Sequence, residues 1–241
     1  MPRTYDQRGN EDRRYPVLYM NDGFAVFKQS LWNGPAIVSG LIREKKITEM
    51  ILVGIDNGAT ASNGSPDQRT NEYVPFADTI NEPDVPLPHG YRYPEFLTDE
   101  VMPAVAARYR VMSDPEHVGL GGASYGGLAA LYTVVHRPGV FGQLLLESTP
   151  TFMSADSIIK DPGKCTTWPG RVHIGIGTEE TDDESLNRSA IPRAEHLRDL
   201  IVGRSPATRA KVVIGSGDAH SSRSWSRRFP GALEFLFGTA H

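Results

Sequence analysis

Six short apolar runs recur along the chain, at 16–20, 50–55, 117–121, 143–146, 172–176 and 211–214, and they hardly alternate with polar positions. Runs of that kind suit strands buried on both faces of a parallel sheet. Between them lie helix-period patterns at 36–46, 96–109, 128–136, 187–202 and 228–237. Strands alternating with helices predict an α/β architecture with helices on both faces of a mostly parallel sheet. Pro103 should kink the second helix, since it removes a backbone donor inside it. The stretch 57–94 is rich in Gly, Asn, Asp and Pro and shows no period, so a long functional loop is expected there.

The third run leads into Gly122-Ala123-Ser124-Tyr125-Gly126, and a good helix former, Leu128-Ala129-Ala130-Leu131-Tyr132, follows. Gly-x-Ser-x-Gly between a strand and a helix is a nucleophile elbow, in which small neighbours let the turn close and push the serine hydroxyl into the open. The pentapeptide alone is weak: with 24 glycines in 241 residues a chance match is expected about 0.2 times. Its context carries the reading. The same glycines could open a dinucleotide loop, but Ser124 stands where the third glycine belongs and no strand ending in an acid follows at the required distance.

At 241 residues, 39% hydrophobic and 22% charged, the chain reads as one domain spanning 1–241 with a substantial core. A net charge of −4 gives no electrostatic footprint for nucleic acid or a membrane surface. No apolar run reaches the roughly 18 residues that span a bilayer, and Met1-Pro2-Arg3-Thr4-Tyr5-Asp6 is too polar to open a signal peptide. A soluble, cytoplasmic protein is therefore expected. The single cysteine, Cys165, cannot form an internal disulfide and reads as a bystander.

In an open parallel sheet the ligand crevice lies at the carboxyl ends of the strands. The first run ends in Asn21-Asp22-Gly23-Phe24, a turn able to present a backbone N–H. Acids follow the fifth run in Gly177-Thr178-Glu179-Glu180, with Asp182 and Asp183 beyond, and Glu147 ends the fourth. His220 follows the sixth in Gly215-Ser216-Gly217-Asp218-Ala219-His220. Serine, acid, histidine is the chain order of one common serine-hydrolase fold and differs from the orders in the others. Ser124 would attack a carbonyl, His220 would move its proton, and the N–H groups of Phe24 and Tyr125 would hold the oxyanion.

Several segments together resemble the esterase D and enterochelin esterase branch of the α/β-hydrolases. They are Arg14-Tyr15-Pro16-Val17-Leu18-Tyr19-Met20-Asn21-Asp22-Gly23, Ile55-Asp56-Asn57, Arg69-x-x-Glu72-Tyr73-x-Pro75, the elbow with its helix, Phe141-Gly142 before Ser148, and His220 with Trp225 and Leu233-Glu234-Phe235-Leu236-Phe237-Gly238. The resemblance implies a serine carboxylic-ester hydrolase that needs no cofactor or metal and takes a small-molecule ester. Relatives act on siderophore trilactones, acetylated or feruloylated sugars and, in one group, transfer mycolyl groups; a binding protein that kept the fold and lost turnover is the rival from another class. It also places the triad acid at Glu180. Two departures stand out. Only residues 1–13 precede the first run, so either the family's first β-hairpin is lost or the start of the chain is assigned late, and Asn21 and Phe24 replace the residues usual at those positions.

Arg69, Phe152 and Trp225 are the substrate-binding candidates, with packing as the alternative for Phe152 and Trp225 and a solvated face as the alternative for the arginines. Arg204, Arg209, Lys211, Arg223, Arg227 and Arg228 crowd the segment around His220, which would suit an anionic ester such as a siderophore.

Overall fold

All six apolar runs become strands of one sheet: β1 (Val17–Asn21), β2 (Ile51–Ile55), β3 (Val118–Ala123), β4 (Gln143–Glu147), β5 (Arg171–Glu179) and β6 (Arg209–Ala219). They lie in the order β2-β1-β3-β4-β5-β6 and pair in parallel throughout. The computed structural model describes residues 1–2, 4–60, 64–78, 88–153, 165 and 167–239. Among them no strand precedes β1, and β2 forms one edge of the sheet. This is a parallel six-stranded sheet of the α/β-hydrolase kind.

The lack of alternation in the strands has a direct cause. Each residue of β1, β3 and β4 is buried, and successive side chains enter different cores. Leu144 and Leu146 pack into one core with α6 (Tyr125–His136) and α7 (Glu184–Arg204). Leu145, with Leu18 and Met20, packs into the other beneath α2 (Gly34–Arg43) and α8 (Ser222–Phe237). β6, at the far edge, is half exposed.

Two local expectations change. Within 57–94 the structure has a helix, α3 (Pro66–Tyr73), and Gln68 Oε1 accepts from the Ser65 N–H at 3.0 Å at its start. Its sequence has no apolar stripe, so periodicity could not announce it. Residues 61–63 and 79–87 of that stretch lie outside the described part. The helix expected at 96–109 is preceded by α4 (Tyr93–Glu95) and opens with a π-helical stretch, Phe96–Val101, before α5 (Met102–Arg108). Pro103 sits in the first turn of α5, where a missing N–H costs least, directly after the wider π turns.

β3 carries the elbow at its end, so its burial anchors the site. Leu120 is fully buried at the centre of that strand. Leu120→Ala should lower the unfolding free energy by about 3 kcal/mol in a urea titration. A loss under about 1 kcal/mol would mean that the two cores do not close on β3 as described.

Candidate active site

Ser124 joins β3 to α6 with φ 54° and ψ −131°, outside the regions open to most side-chain-bearing residues. Gly122 and Gly126 make the turn possible, since a Cβ on Gly122 would collide with the Gly126 backbone. The Ser124 N–H donates to the Glu147 carbonyl of β4 at 2.9 Å. Its side chain does not cap the helix it starts, so the hydroxyl is not spent on local structure.

His220 leaves the end of β6 and meets Glu180 beyond β5, with 2.8 Å between Nδ1 and Oε2. Glu180 Oε1 accepts from Ser148 Oγ at 2.7 Å and from the Gly177 N–H at 2.6 Å. Burial pushes the Glu180 carboxyl up, but the bonds from His220, Ser148 and Gly177 outweigh it and hold its pKa below the ordinary carboxylate value. An ionised Glu180 fixes the His220 tautomer with the proton on Nδ1, which leaves Nε2 as the acceptor. Glu179, the neighbouring candidate acid, is exposed at the strand end.

Trp225 supports this arrangement. Its ring stands edge-on to the His220 ring at 5.1 Å, and its Nε1–H donates to Ser148 Oγ at 2.8 Å. A relay therefore runs from Trp225 through Ser148 to Glu180 and His220. Neither the Ser148 bond nor its Trp225 donor was legible in the sequence, which offers only a serine after a strand end.

The turn after β1 is locked by side chains. Asp22 takes a left-handed conformation, φ 59° and ψ 48°. Its carboxylate accepts from Arg69 Nε and Nη2, each at 2.8 Å, and from Asn57 Nδ2 at 2.8 Å. Its N–H donates to Tyr73 Oη at 3.2 Å. Burial pushes the Tyr73 and Tyr93 hydroxyls up, so both stay neutral. Tyr93 Oη donates to Asn21 Oδ1, while Asn21 Nδ2 donates to the Gly126 carbonyl at 2.7 Å. Asn21 thus ties the β1 turn to the first turn of α6.

Three candidates change in character. Arg69 lines the cavity beside Ser124, but its guanidinium is committed to Asp22; burial pulls its pKa down and the Asp22 bonds more than restore it. Its part is to brace the turn. The Phe24 N–H, expected to face a substrate, donates to Asp56 Oδ1, because an open N–H beside the end of β2 is a ready anion receptor. Trp225 borders the cavity as a support for His220. The arginine crowd also disperses. β6 runs the length of β5, with Arg209 opposite Arg171 and Ala219 opposite Glu179, so Arg209 lies about 26 Å from the end that delivers His220, and Arg204 precedes even that. Arg227 and Arg228 are paired with acids, and Arg223, three residues beyond His220, is exposed.

Ser124 and His220 border two cavities. One, about 300 Å³, is lined by Phe152, Ile176, Leu186 and Leu197. The other, about 420 Å³, is lined by Asp22, Asn57, Arg69, Phe24 and Trp225. Glu147 is fully buried in ion pairs on the face under α8 and does not approach His220 as the triad acid would. Cys165 is buried, and burial pushes its thiol up. Among the described residues, Asp114, Glu116 and His117 are spaced to hold a metal ion, but they sit before β3, at the opposite end of the sheet, and His117 is already paired with Asp114.

The family described as "Putative esterase" matches residues 1–236. An iron(III) enterobactin esterase of Dickeya dadantii is 44% identical over 139 residues, covering 51% of this chain and 30% of that protein. An endo-1,4-beta-xylanase/feruloyl esterase of Xylanibacter ruminicola is 26% identical over 234 residues, 94% of this chain and 27% of the relative. The chain therefore spans less than a third of either relative. The crystal structure of the BES protein from Bacillus cereus superposes with a TM-score of 0.75 at 19% identity, over 95% of this chain and 85% of that one, a likeness of fold. No helix among the described residues is long and apolar enough to cross a membrane.

Glu180 generates a prediction about acid. Its folded-state pKa is lowered, so its contribution to stability is present above the ordinary carboxylate range and is lost as pH falls through the folded value. Between about pH 6 and about pH 3 the wild type should lose stability relative to Glu180→Gln, measured by urea unfolding at each pH. Parallel curves would show that the carboxylate is not held by its three donors.

Proposed function

As the chain belongs to this esterase family and is an ester hydrolase, we propose that it works through Ser124, His220 and Glu180. The observation that carries the proposal is the Glu180–His220 bond at 2.8 Å, set at a cavity mouth that also holds Ser124 on an elbow. His220 Nε2 takes the Ser124 proton as Oγ bonds to the ester carbonyl carbon, and Glu180 stabilises the imidazolium. The oxyanion is held by the N–H groups of Phe24 and Tyr125. For Phe24 this requires the Asp56 carboxylate to give way, so that one oxygen anion replaces another on the same donor. The carbonyl then re-forms, the alkoxide leaves with the proton from His220, and water, deprotonated in turn by His220, releases the acid and regenerates Ser124.

The two cavities divide the ester. An apolar acyl group gains from the Phe152, Ile176, Leu186 and Leu197 side, where it displaces water without losing hydrogen bonds, and the alcohol faces the cavity beside Asp22, Arg69 and Trp225. We therefore favour an ester that carries a compact aromatic group. A siderophore ester of the enterobactin kind is supported by the 44% identical segment. A feruloyl ester is the second reading, favoured because the basic side chains near His220 in sequence do not form a wall around the cavities.

A fluorophosphonate probe should label the wild type once, and Ser124→Ala should abolish the label and lower kcat by several orders of magnitude, roughly 10⁴-fold or more. Glu180→Gln should lower kcat strongly, while Glu179→Gln should cost less than about tenfold. Labelling that survives Ser124→Ala, or the reverse ranking of the acids, would overturn those roles.

Methyl ferulate and a catecholate trilactone should both exceed an acetyl ester in kcat/KM, and raising salt until the Debye length falls below about 10 Å should leave methyl ferulate turnover nearly unchanged. Faster turnover of the acetyl ester would exclude an aromatic acyl group.

A further inference from the structure

Beneath the triad, on the face covered by α8, lies a charged cluster that the reaction as described does not use. Glu147 is fully buried, and Asp218, Arg228 and His173 are nearly so. Arg228 reaches Glu147 Oε2 with Nε at 2.8 Å and Nη2 at 2.7 Å, and its Nη1 donates to Asp218 Oδ2. Arg227 holds the other Asp218 oxygen from the exposed side. His173 Nε2 is 3.3 Å from Glu147 Oε1. The sheet makes room for this cluster with glycine: a Cβ on Gly175 would run into the Glu147 carboxylate, and one on Gly215 into that of Asp218.

Burying two carboxylates and a guanidinium gains little stability over apolar packing of the same volume. Its position suggests what it does instead. Glu147 is the residue whose carbonyl receives the Ser124 N–H, and the next residue, Ser148, bonds Glu180. Asp218 stands two residues before His220. Arg228 therefore joins the end of β4, which fixes Ser124 and Glu180, to the end of β6, which delivers His220, across β5.

We infer that Arg228 is a positioning residue that sets the placement of His220 relative to Ser124 by tying Asp218 to Glu147. The inference rests on the Ser124, His220 and Glu180 reading. A guanidinium suits the task because its rigid planar fork holds two carboxylates in a fixed geometry, whereas an ammonium is a point charge on a flexible stem. Arg227, half exposed and holding one of the two strand ends, contributes far less.

The test compares Arg228→Lys, Arg227→Met and the double variant Glu147→Met/Arg228→Met with wild type, using steady-state hydrolysis of p-nitrophenyl butyrate and the rate of fluorophosphonate labelling. The double variant removes Glu147 together with its guanidinium and leaves Asp218 paired with Arg227, so it should fold, as checked by circular dichroism and thermal melting. Misplacement of the imidazole on the order of 1 Å should lower kcat and the labelling rate roughly 100-fold with KM nearly unchanged. Arg228→Lys should recover part of the loss, and Arg227→Met should cost less than about threefold. A folded double variant with wild-type kcat would overturn the inference. If the wild type itself shows no turnover, the triad reading fails separately, and the low-field proton resonance of His220 Nδ1–H decides: its loss in the folded double variant supports the tie, and its retention overturns it.

Discussion

Ser124 occupies φ 54° and ψ −131°, a conformation that persists only where the surroundings over-determine it. Here β3 lies inside the sheet, with β1 and β4 hydrogen-bonded on either side. From β4 comes the Glu147 carbonyl that takes the Ser124 N–H; from β1 comes Asn21, whose amide holds the Gly126 carbonyl. The strained turn is clamped from both flanks, and the neighbouring parts of the site are hung from the same two clamps. The β4 end continues into Ser148 and thus to Glu180, while the β1 end continues into the Asp22 turn and the Phe24 N–H.

The acids of the site differ in task because they differ in partners. Asp22 is met by a bidentate guanidinium and an amide, so its charge is spent on holding a left-handed turn. Glu180 is met by a serine hydroxyl, a backbone N–H and an imidazole, all of which favour its ionised form. A carboxylate with that set of donors can answer charge forming on the imidazole, whereas one locked to arginine has little left to offer it. Asp56 falls between the two, exposed at the end of β2 and resting on the N–H that an oxyanion would need.

On the function proposed above, selectivity lies in the walls of the two cavities. The walls of one come from the segment after β4 and from α7, and those of the other from the β1 turn and the loop after β2. The basic residues near His220 in sequence are spread in space, since Arg209 and Lys211 stand at the far end of β6 while Arg227 and Arg228 are paired with acids.

Much of the fold was legible because its signals are local. Buried parallel strands need unbroken apolar runs, and all six were visible as such; the elbow needs glycines at fixed offsets from Ser124; the order of strand ends gives serine, acid and histidine in sequence. Helix α3, without an apolar stripe, was hidden because its support comes from capping and tertiary contacts. Glu180 and Glu179 could not be separated by local pattern, because the choice depends on which carboxylate turns inward past the end of β5 to meet Ser148 and His220, 32 and 40 residues away. Arg69 and Phe24 looked open to substrate for the same reason: their partners, Asp22 and Asp56, are 47 and 32 residues distant. The sequence by itself determined which chemistry could be assembled, since residue type and spacing are local properties. Only the tertiary structure decided which charges are paired, which N–H is occupied and how Arg228 joins two strand ends, because electrostatic partnership depends on distance through space, and folding sets that distance.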